Sequence, residues 1–318
     1  MADAGAPDPA FVTDVLTGLA QAQKAIPARW FYDRIGSELF ETITALPEYY
    51  PTRVETALLA KYADDIAKLT GHGRAVVEFG SGSSAKTPHL LRAVTPIAYV
   101  PIDISGAFLH VSAAALAADF PGLAVLPVEG NFNQPLALPG AIADTPRLGF
   151  FPGSTIGNMI ARSAIDLLRT MRTSLGTGAM LLIGMDRIKA PAKLLAAYDD
   201  AQGVTARFNL NVLARINREL GGSCPLDAFA HEARWNDDYA RIEMHLRALR
   251  DLSFEVAGQE FTVKAGETIH TENSHKYGAR DARLLLRGGG WSPIAEWTDV
   301  DDSFALILAE ARAPRSAP

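Results

Sequence analysis

From residue 74 onward the chain alternates between short, continuous apolar runs and longer stretches with apolar residues every three or four positions. The runs at 75–79, 97–102, 124–129, 148–151 and 179–184 are too short for helices and carry no polar alternation, as expected of strands buried on both faces. Between them, 87–94, 107–118 and 161–174 have helical spacing. Strand and helix in turn predict an α/β fold with a mostly parallel sheet. After 185 the order breaks. Segments 190–200 and 204–220 read as helices, the second with Phe208, Leu213, Ile216 and Leu220 at core spacing. Segments 230–235 and 241–249 read as an antiparallel pair, and 254–256 with 260–263 as another. A helix over 279–288 runs into three glycines, and strands at 291–299 and 304–310 close the pattern, with one antiparallel terminal strand in a mostly parallel sheet.

Nothing before Gly71 reads as a strand. Phe11, Val15, Leu16 and Leu19 mark a helix within 11–25, and Leu39, Phe40, Ile43 and Leu46 a second over 37–46. A third runs over 53–69, with Thr52 as its cap. Two loops between them are aromatic: Pro27-Ala-Arg-Trp-Phe-Tyr-Asp33 and Pro47-Glu-Tyr-Tyr-Pro-Thr-Arg53. Trp30 and Phe31 are expected in the core, while the Tyr49 and Tyr50 hydroxyls are better ligand candidates. Residues 1–8 are small, polar and frayed by expectation. The expected organisation is therefore an α/β core of 71–185 and 275–318, interrupted by an α+β insert. That insert joins the N-terminal helices in a second domain, 9–70 and 186–274.

Length and composition narrow this picture only a little. A chain of 318 residues suits one large or two modest domains. A net charge of −6 disfavours nucleic acid as a partner. The single cysteine, Cys224, excludes an intramolecular disulfide and a thiolate metal cluster. The seven histidines lack ligand spacing; His270 and His275 flank Glu272 without a helix-face repeat, so no metal is expected. No apolar run is long enough to span a membrane, and Met1-Ala-Asp-Ala-Gly lacks a basic, then apolar, leader. A cytoplasmic monomer is the expectation.

The chemistry starts at the first apolar run. Ala75-Val-Val-Glu-Phe-Gly-Ser-Gly-Ser-Ser-Ala-Lys-Thr87 reads as a buried strand, a tight turn at Gly80 and Gly82, and a helix start. Such glycines let backbone approach a ligand, and helix N-terminal N–H groups face it. Asp103 ends the next strand at the spacing of a carboxylate that accepts from ribose hydroxyls. A nucleoside-containing cofactor follows. The same stretch nearly spells a phosphate-binding loop, departing from it at Ala85, where that loop needs glycine; a ligand-free turn is the third possibility. Phe150-Phe-Pro-Gly-Ser-Thr-Ile-Gly-Asn158 follows another parallel strand, so its polar groups lie at the sheet edge where doubly wound folds bind ligands. Asn131-Phe132, after the third strand, is suited to bracketing a base. Thr271-Glu-Asn-Ser-His-Lys276, on its residues alone, is a solvated loop or cap. There is no nucleophile elbow.

Longer strings carry a resemblance. Trp30-Phe-Tyr-Asp33, Leu46-Pro-Glu-Tyr-Tyr-Pro-Thr-Arg53, the 78–87 turn, Gly153-Ser-Thr-Ile-Gly-Asn158, Ala197-Tyr-Asp-Asp200, Phe208-Asn-Leu-Asn-Val-Leu213, Ile216-Asn-Arg-Glu-Leu220 and Arg241-Ile-Glu-Met244 resemble the histidine-specific Nα-methyltransferases of ergothioneine biosynthesis. The likeness runs from about 27 to 311. It implies a class I S-adenosylmethionine-dependent methyltransferase fold with an added substrate domain, and trimethylation of L-histidine to hercynine. It implies donor binding by Gly80, Gly82, Lys86 and Asp103, with Asn131 and Phe132 at the adenine. The family usually has Gly-Asp-Phe where this chain has Gly-Asn-Phe; an amide oxygen still accepts from the adenine amine. For L-histidine it implies Tyr49, Asn158 and Tyr198 around the amino acid, Gly153 and Thr155 along the amine, and Tyr32, Phe40 and Met244 as walls. Glu272 and Ser274 match the Glu-x-Ser that reads the imidazole.

The implied reaction is in-line displacement at a sulfonium methyl by a neutral amine, in which positioning is the main device. No dedicated base is evident; Asn158 and Tyr198 are the orienting groups. The rival readings are methylation of another amino acid, such as tryptophan or a thio-histidine, and a non-catalytic nucleoside-binding or phosphate-loop protein. Ala or Val at 272 would favour the other amino acids; Glu272 favours imidazole.

Overall fold

A computed structural model describes residues 7–82, 84 and 86–311. Most of the expected frayed start, Ser83 and Ala85 of the glycine turn, and 312–318 of the expected core lie outside the described residues. The chain divides into two compact units, Pro51–Ile188 with Lys276–Pro318, and Met1–Tyr50 with Lys189–His275.

The first of these is an α/β sheet of eight strands. Its order is Trp291–Thr298, Phe304–Ala311, Met180–Asp186, Arg147–Phe151, Ala75–Phe79, Ala98–Asp103 and Ala124–Val125, with Val128–Glu129 also pairing Ala98–Asp103. Pairing is parallel except where Phe304–Ala311 runs antiparallel to both neighbours. Ala75–Phe79 is buried along its whole length and Arg147–Phe151 at all but its first residue, the physical reason for their unbroken apolar runs. Helix Ala161–Leu175 covers the sheet with Ala164, Leu167, Leu168, Met171 and Leu175, and the fully buried Trp291 donates its indole N–H to the Leu168 carbonyl at 2.9 Å. Chain order runs outward on one side of Ala75–Phe79 and then returns on the other. The loops after Ala75–Phe79 and Arg147–Phe151 therefore flank a topological switch point, where such sheets bind ligands.

Three expectations need correction here. The helix expected over 53–69 starts at Tyr50, so Thr52 lies inside it, and it breaks at Tyr62 into Tyr50–Lys61 and Ala63–Thr70. The second piece carries Asp64 and Asp65 in its first turn, acids that suit a helix N-terminus. From Pro51 onward both pieces sit in the α/β unit rather than with the N-terminal helices: Leu58, Leu59, Ile66 and Ala67 pack with Val76, Leu90, Leu91 and Tyr99. The strand expected over 124–129 is two two-residue strands.

The other unit holds a four-stranded sheet, Lys24–Ala25, Thr268–His275, Arg241–Ala248 and Phe229–Asn236, and a separate hairpin of Leu252–Val256 with Gln259–Val263. Two of these strands correct the sequence reading. Lys24–Ala25 pairs parallel with Ile269 and His270, a strand before Gly71 after all. Thr268–His275 is a strand in the body of the sheet, not a solvated loop. Helix Val204–Glu219 is capped by Asp200, whose carboxylate accepts from the N–H groups of Val204 at 2.9 Å and Thr205 at 2.7 Å. Burial alone would raise the Asp200 pKa, but these bonds leave it below the usual range. Helix Arg34–Thr44 is capped by Asp33, which accepts from Gly36 N–H at 2.7 Å and from Asn211 at 2.8 Å. Trp30 and Phe31 are buried as expected, Phe31 against Phe208 with ring centroids 4.6 Å apart.

Candidate active site

In the α/β unit the glycine turn grows directly from strand Ala75–Phe79. Gly80 and Ser81 both donate to the Ile102 carbonyl, at 2.9 and 3.1 Å, which folds the turn over the neighbouring strand. Gly80 has φ +70°, a conformation that favours glycine, and a Cβ there would touch the Phe132 ring at 3.4 Å. The Asp103 carboxylate meets the turn: it accepts from Gly82 N–H at 3.1 Å and from Ser105 N–H at 2.9 Å. Each carboxylate oxygen offers two acceptor sites, so both retain capacity for a further donor. Phe132 stands half-buried between Phe79 and Phe151. Gly80, Gly82, Asp103 and Phe132 thus share one edge of the sheet. Asn131 differs from expectation in detail, because its amide oxygen accepts from the Asn133 N–H and side chain, at 3.0 and 2.9 Å. The Ser81 hydroxyl is buried in the turn without a hydrogen-bond partner. An orphaned polar atom, a glycine cradle and a half-buried carboxylate are features that fit a polar nucleoside-type cofactor.

Below the turn lies a carboxylate network. Glu78 Oε2 accepts from Thr87 Oγ1 at 2.7 Å and from Tyr99 at 2.5 Å, and Ser84 lies 3.0 Å from that phenol. Burial pushes the Glu78 pKa up to about 7, against the pull of its two hydroxyl donors and nearby Lys86. Lys86 is paired to Glu55, a residue that sequence reasoning missed.

The loop after Arg147–Phe151 is held in an unusual shape. Ser154 adopts φ +55°, and its hydroxyl accepts from Asp186 N–H at 2.9 Å. The buried pair Lys276–Asp186, at 2.8 Å, adjoins that anchor. Gly153 N–H donates to Glu55, the Thr155 hydroxyl donates to the Pro152 carbonyl at 3.0 Å, and Asn158 ends the 3₁₀ turn Thr155–Asn158. Gly153, Thr155 and Asn158 are each half-buried.

The other unit gathers the remaining candidates. The register of Thr268–His275 against Arg241–Ala248 shifts between His270 and Glu272, a β-bulge centred on Thr271. Thr268 and His270 oppose Arg247 and His245, but beyond the bulge Glu272 opposes Met244 and Ser274 opposes Ile242. The extra residue moves Glu272 and Ser274 to the other face of the sheet. Asn209, fully buried on helix Val204–Glu219, secures the bulge: Thr271 Oγ1 lies 2.7 Å from its amide oxygen, and its Nδ2 donates to the His245 carbonyl at 3.1 Å. Ser274 and Tyr198 hydroxyls meet at 2.6 Å. The Tyr198 ring lies 6.2 Å from Tyr49, Tyr49 6.2 Å from Phe40, and Phe40 5.5 Å from Tyr32. One contiguous cluster therefore includes Tyr32, Phe40, Tyr49, Tyr198, Met244, Glu272 and Ser274. Tyr50 is separate, its hydroxyl receiving Lys189 at 2.6 Å.

On the opposite sheet face, Glu243, His245 and His270 bring ligand-type atoms within 4.8 Å of one another. The two imidazoles stack at 4.7 Å with planes 17° apart. The His245 ring nitrogens lie 3.1 Å from Thr268 Oγ1 and 3.1 Å from Glu243 Oε2, so the cluster reads as a packed polar network. Burial lowers His245 to about 4; burial would raise Glu243, but Arg241, His245 and Asn236 bring it to about 2. Among the described residues no helix is long and apolar enough to cross a membrane.

Comparison with known proteins agrees with these strings and this fold. The sequence profile described as histidine-specific methyltransferase, SAM-dependent, matches residues 11–311. The chain is 42% identical over 303 residues to a histidine N-alpha-methyltransferase of Mycolicibacterium smegmatis, covering 93% of each. It is 27% identical to ergothioneine biosynthesis protein 1 of Neurospora crassa over 91% of this chain and 33% of that one. It is also 27% identical to a 4-dimethylallyltryptophan N-methyltransferase of Claviceps fusiformis, over 90% and 87%. A profile match across nearly the whole described chain, on a sheet with one antiparallel strand and a glycine turn at its switch point, shows that this protein belongs to the histidine-specific, S-adenosylmethionine-dependent methyltransferases.

Proposed function

We propose that this enzyme transfers methyl groups from S-adenosylmethionine to the α-amine of L-histidine, three in succession, giving hercynine and opening ergothioneine biosynthesis. Membership of the family sets aside the phosphate-loop reading of the glycine turn. The observation that carries the choice of substrate is the bulge at Thr271, which turns Glu272 and Ser274 to the face of Met244, beside Tyr198. A carboxylate accepts an imidazole N–H, and a hydroxyl gives to or accepts from the other ring nitrogen. The histidine N-alpha-methyltransferase relative supports the same choice.

Roles follow from this reading. Asp103 takes the ribose hydroxyls, Gly80 and Gly82 admit the donor to the turn, Lys86 pairs with its carboxylate, and Asn131 and Phe132 flank the adenine. Tyr49, Asn158 and Tyr198 hold the amino acid, Gly153 and Thr155 lie along the amine, and Tyr32, Phe40 and Met244 are walls. When bound, S-adenosylmethionine supplies an electrophilic methyl on a positive sulfur. The residues present have to orient a neutral amine toward it, exclude competing water and let each released proton leave to solvent. Asn158 and Tyr198, both uncharged, suit orientation rather than base catalysis. The domain assignment follows as well: the α/β unit binds the donor, and the unit with the bulged strand selects the ring.

The test is mass spectrometry of L-histidine incubated with donor and enzyme. Trimethylated histidine is expected, and its absence alongside efficient methylation of tryptophan would overturn the choice of substrate. Stabilisation by S-adenosylhomocysteine but not by ATP with magnesium is expected in a thermal-shift panel.

A further inference from the structure

Helix Tyr50–Lys61 is anchored by apolar residues, Leu58 and Leu59 among them, yet it also buries a carboxylate: Glu55 is fully inaccessible to solvent. A buried carboxylate is costly unless it is paired and hydrogen-bonded. Glu55 is both. It pairs with Lys86 Nζ, and its two oxygens accept from Gly153 N–H at 3.0 and 2.8 Å. Room for it comes from a third element. A Cβ at Gly184, in strand Met180–Asp186, would collide with the Glu55 carboxylate and press on Phe304. Gly184 has no positive φ, so its backbone conformation does not call for glycine; the missing side chain is what the position supplies. The chain thus opens a space in its central sheet for one charged group, where an apolar side chain would be cheaper.

We propose that Glu55 is a positioning residue. It sets Lys86 and the Gly153 loop relative to each other at the switch point of the sheet. An ammonium has three donors. With one directed at Glu55, the Lys86 side chain is held in one rotamer, and the other donors are presented toward the donor's carboxylate. The same Glu55 carboxylate draws in the Gly153 N–H, fixing the start of the 152–158 loop on which Thr155 and Asn158 sit. Glu55 touches neither substrate nor cofactor in this role; it acts through Lys86 and Gly153. The inference rests on the reading of Lys86 as a donor-binding residue.

The test is a double-mutant cycle on S-adenosylhomocysteine affinity, measured by calorimetry on the full chain. Glu55→Gln keeps an acceptor for Gly153 but removes the charge facing Lys86. It is expected to weaken S-adenosylhomocysteine about 10-fold, within the cost of losing a charged hydrogen bond. Lys86→Met is expected to weaken it at least as much, and the double variant no more than Lys86→Met alone. Glu55→Asp, which keeps the charge on a shorter arm, is expected to recover part of the loss. A merely structural role would lower the melting temperature without this coupling and without rescue by the charged variant. Unchanged affinity in Glu55→Gln, or strictly additive losses in the cycle, overturns the proposal. Glu55→Ala is avoided as the main probe, because it leaves the Gly153 N–H buried and unpaired. Because affinity is read without any methyl acceptor, a wrong choice of amino acid substrate leaves this test standing; wild-type enzyme that binds no S-adenosylhomocysteine defeats both.

Discussion

Replacing Glu78 by glutamine offers a test of the buried network beneath the glycine turn, because the expected effect has a definite pH dependence. The Glu78 side chain is buried, and burial raises its pKa from an ordinary 4.5 to about 7, even though Tyr99 and Thr87 donate to it. A carboxyl with a raised folded-state pKa binds its proton more tightly when folded than when unfolded. Its contribution to stability is therefore complete below pH 4.5 and is lost as pH rises through about 7. A shift of that size, at about 1.4 kcal/mol per pH unit, is worth about 3 kcal/mol. Near-complete burial means that solvent screening takes little from this figure. Glutamine has no proton to lose, and its amide oxygen can accept from both hydroxyls that now reach Oε2. The difference in unfolding free energy, variant minus wild type, is thus expected to rise by about 3 kcal/mol between pH 4.5 and pH 8. Urea unfolding of both proteins at several pH values gives this difference directly, with the titration of every other group cancelling between them. The relevant transition is that of the α/β unit. A difference that stays flat across the range would refute the reasoning, and one that falls would reverse its sign.

Asp103→Ala is expected to weaken S-adenosylhomocysteine by about 1.5–3 kcal/mol, the cost of removing charged acceptors from two hydroxyls; calorimetry showing unchanged affinity removes Asp103 from the donor site. Glu272→Ala is expected to lower the preference for histidine over phenylalanine and tryptophan in a competition assay, because it removes an acceptor for the imidazole N–H and takes nothing from an apolar ring. An unchanged preference ratio moves selection to the aromatic walls. Asn209→Ala, which removes the amide that holds the Thr271 bulge, is expected to raise KM for histidine severalfold while leaving S-adenosylhomocysteine affinity unchanged, a split that equal losses in both would contradict.

What the sequence made legible and what it hid differ by how far apart the interacting residues lie. The core strands could be read because burial on both faces leaves an unbroken apolar run, a local signal. The proposed donor site was equally local: a strand, a glycine turn and a carboxylate at the end of the next strand. Thr268–His275 was not legible, because the bulge breaks its alternation and both faces carry polar residues, His270 on one and Glu272 and Ser274 on the other. Its strand partners lie about two to three dozen residues away and, at Lys24–Ala25, near the other end of the chain. Glu55 was hidden for a similar reason. A lone acid in an amphipathic helix reads as a solvated residue, and only Gly184 reveals that space exists for it.

The same contrast explains the motifs of the unit that carries the bulged strand. The string Phe208-Asn-Leu-Asn-Val-Leu213 reads as a helix with two stray amides, yet both are buried: Asn209 secures the bulge and Asn211 reaches the Asp33 cap. Asp200, within Ala197-Tyr-Asp-Asp200, caps the helix that carries them. Each polar group satisfies another that would otherwise be left unpaired, and a partly satisfied network costs more than an apolar core. The placement of Glu272 and Ser274 therefore depends on residues some sixty positions earlier that need never meet the substrate. Their loss would be felt at the imidazole before it was felt at the donor, which is why the Asn209 variant separates the two affinities.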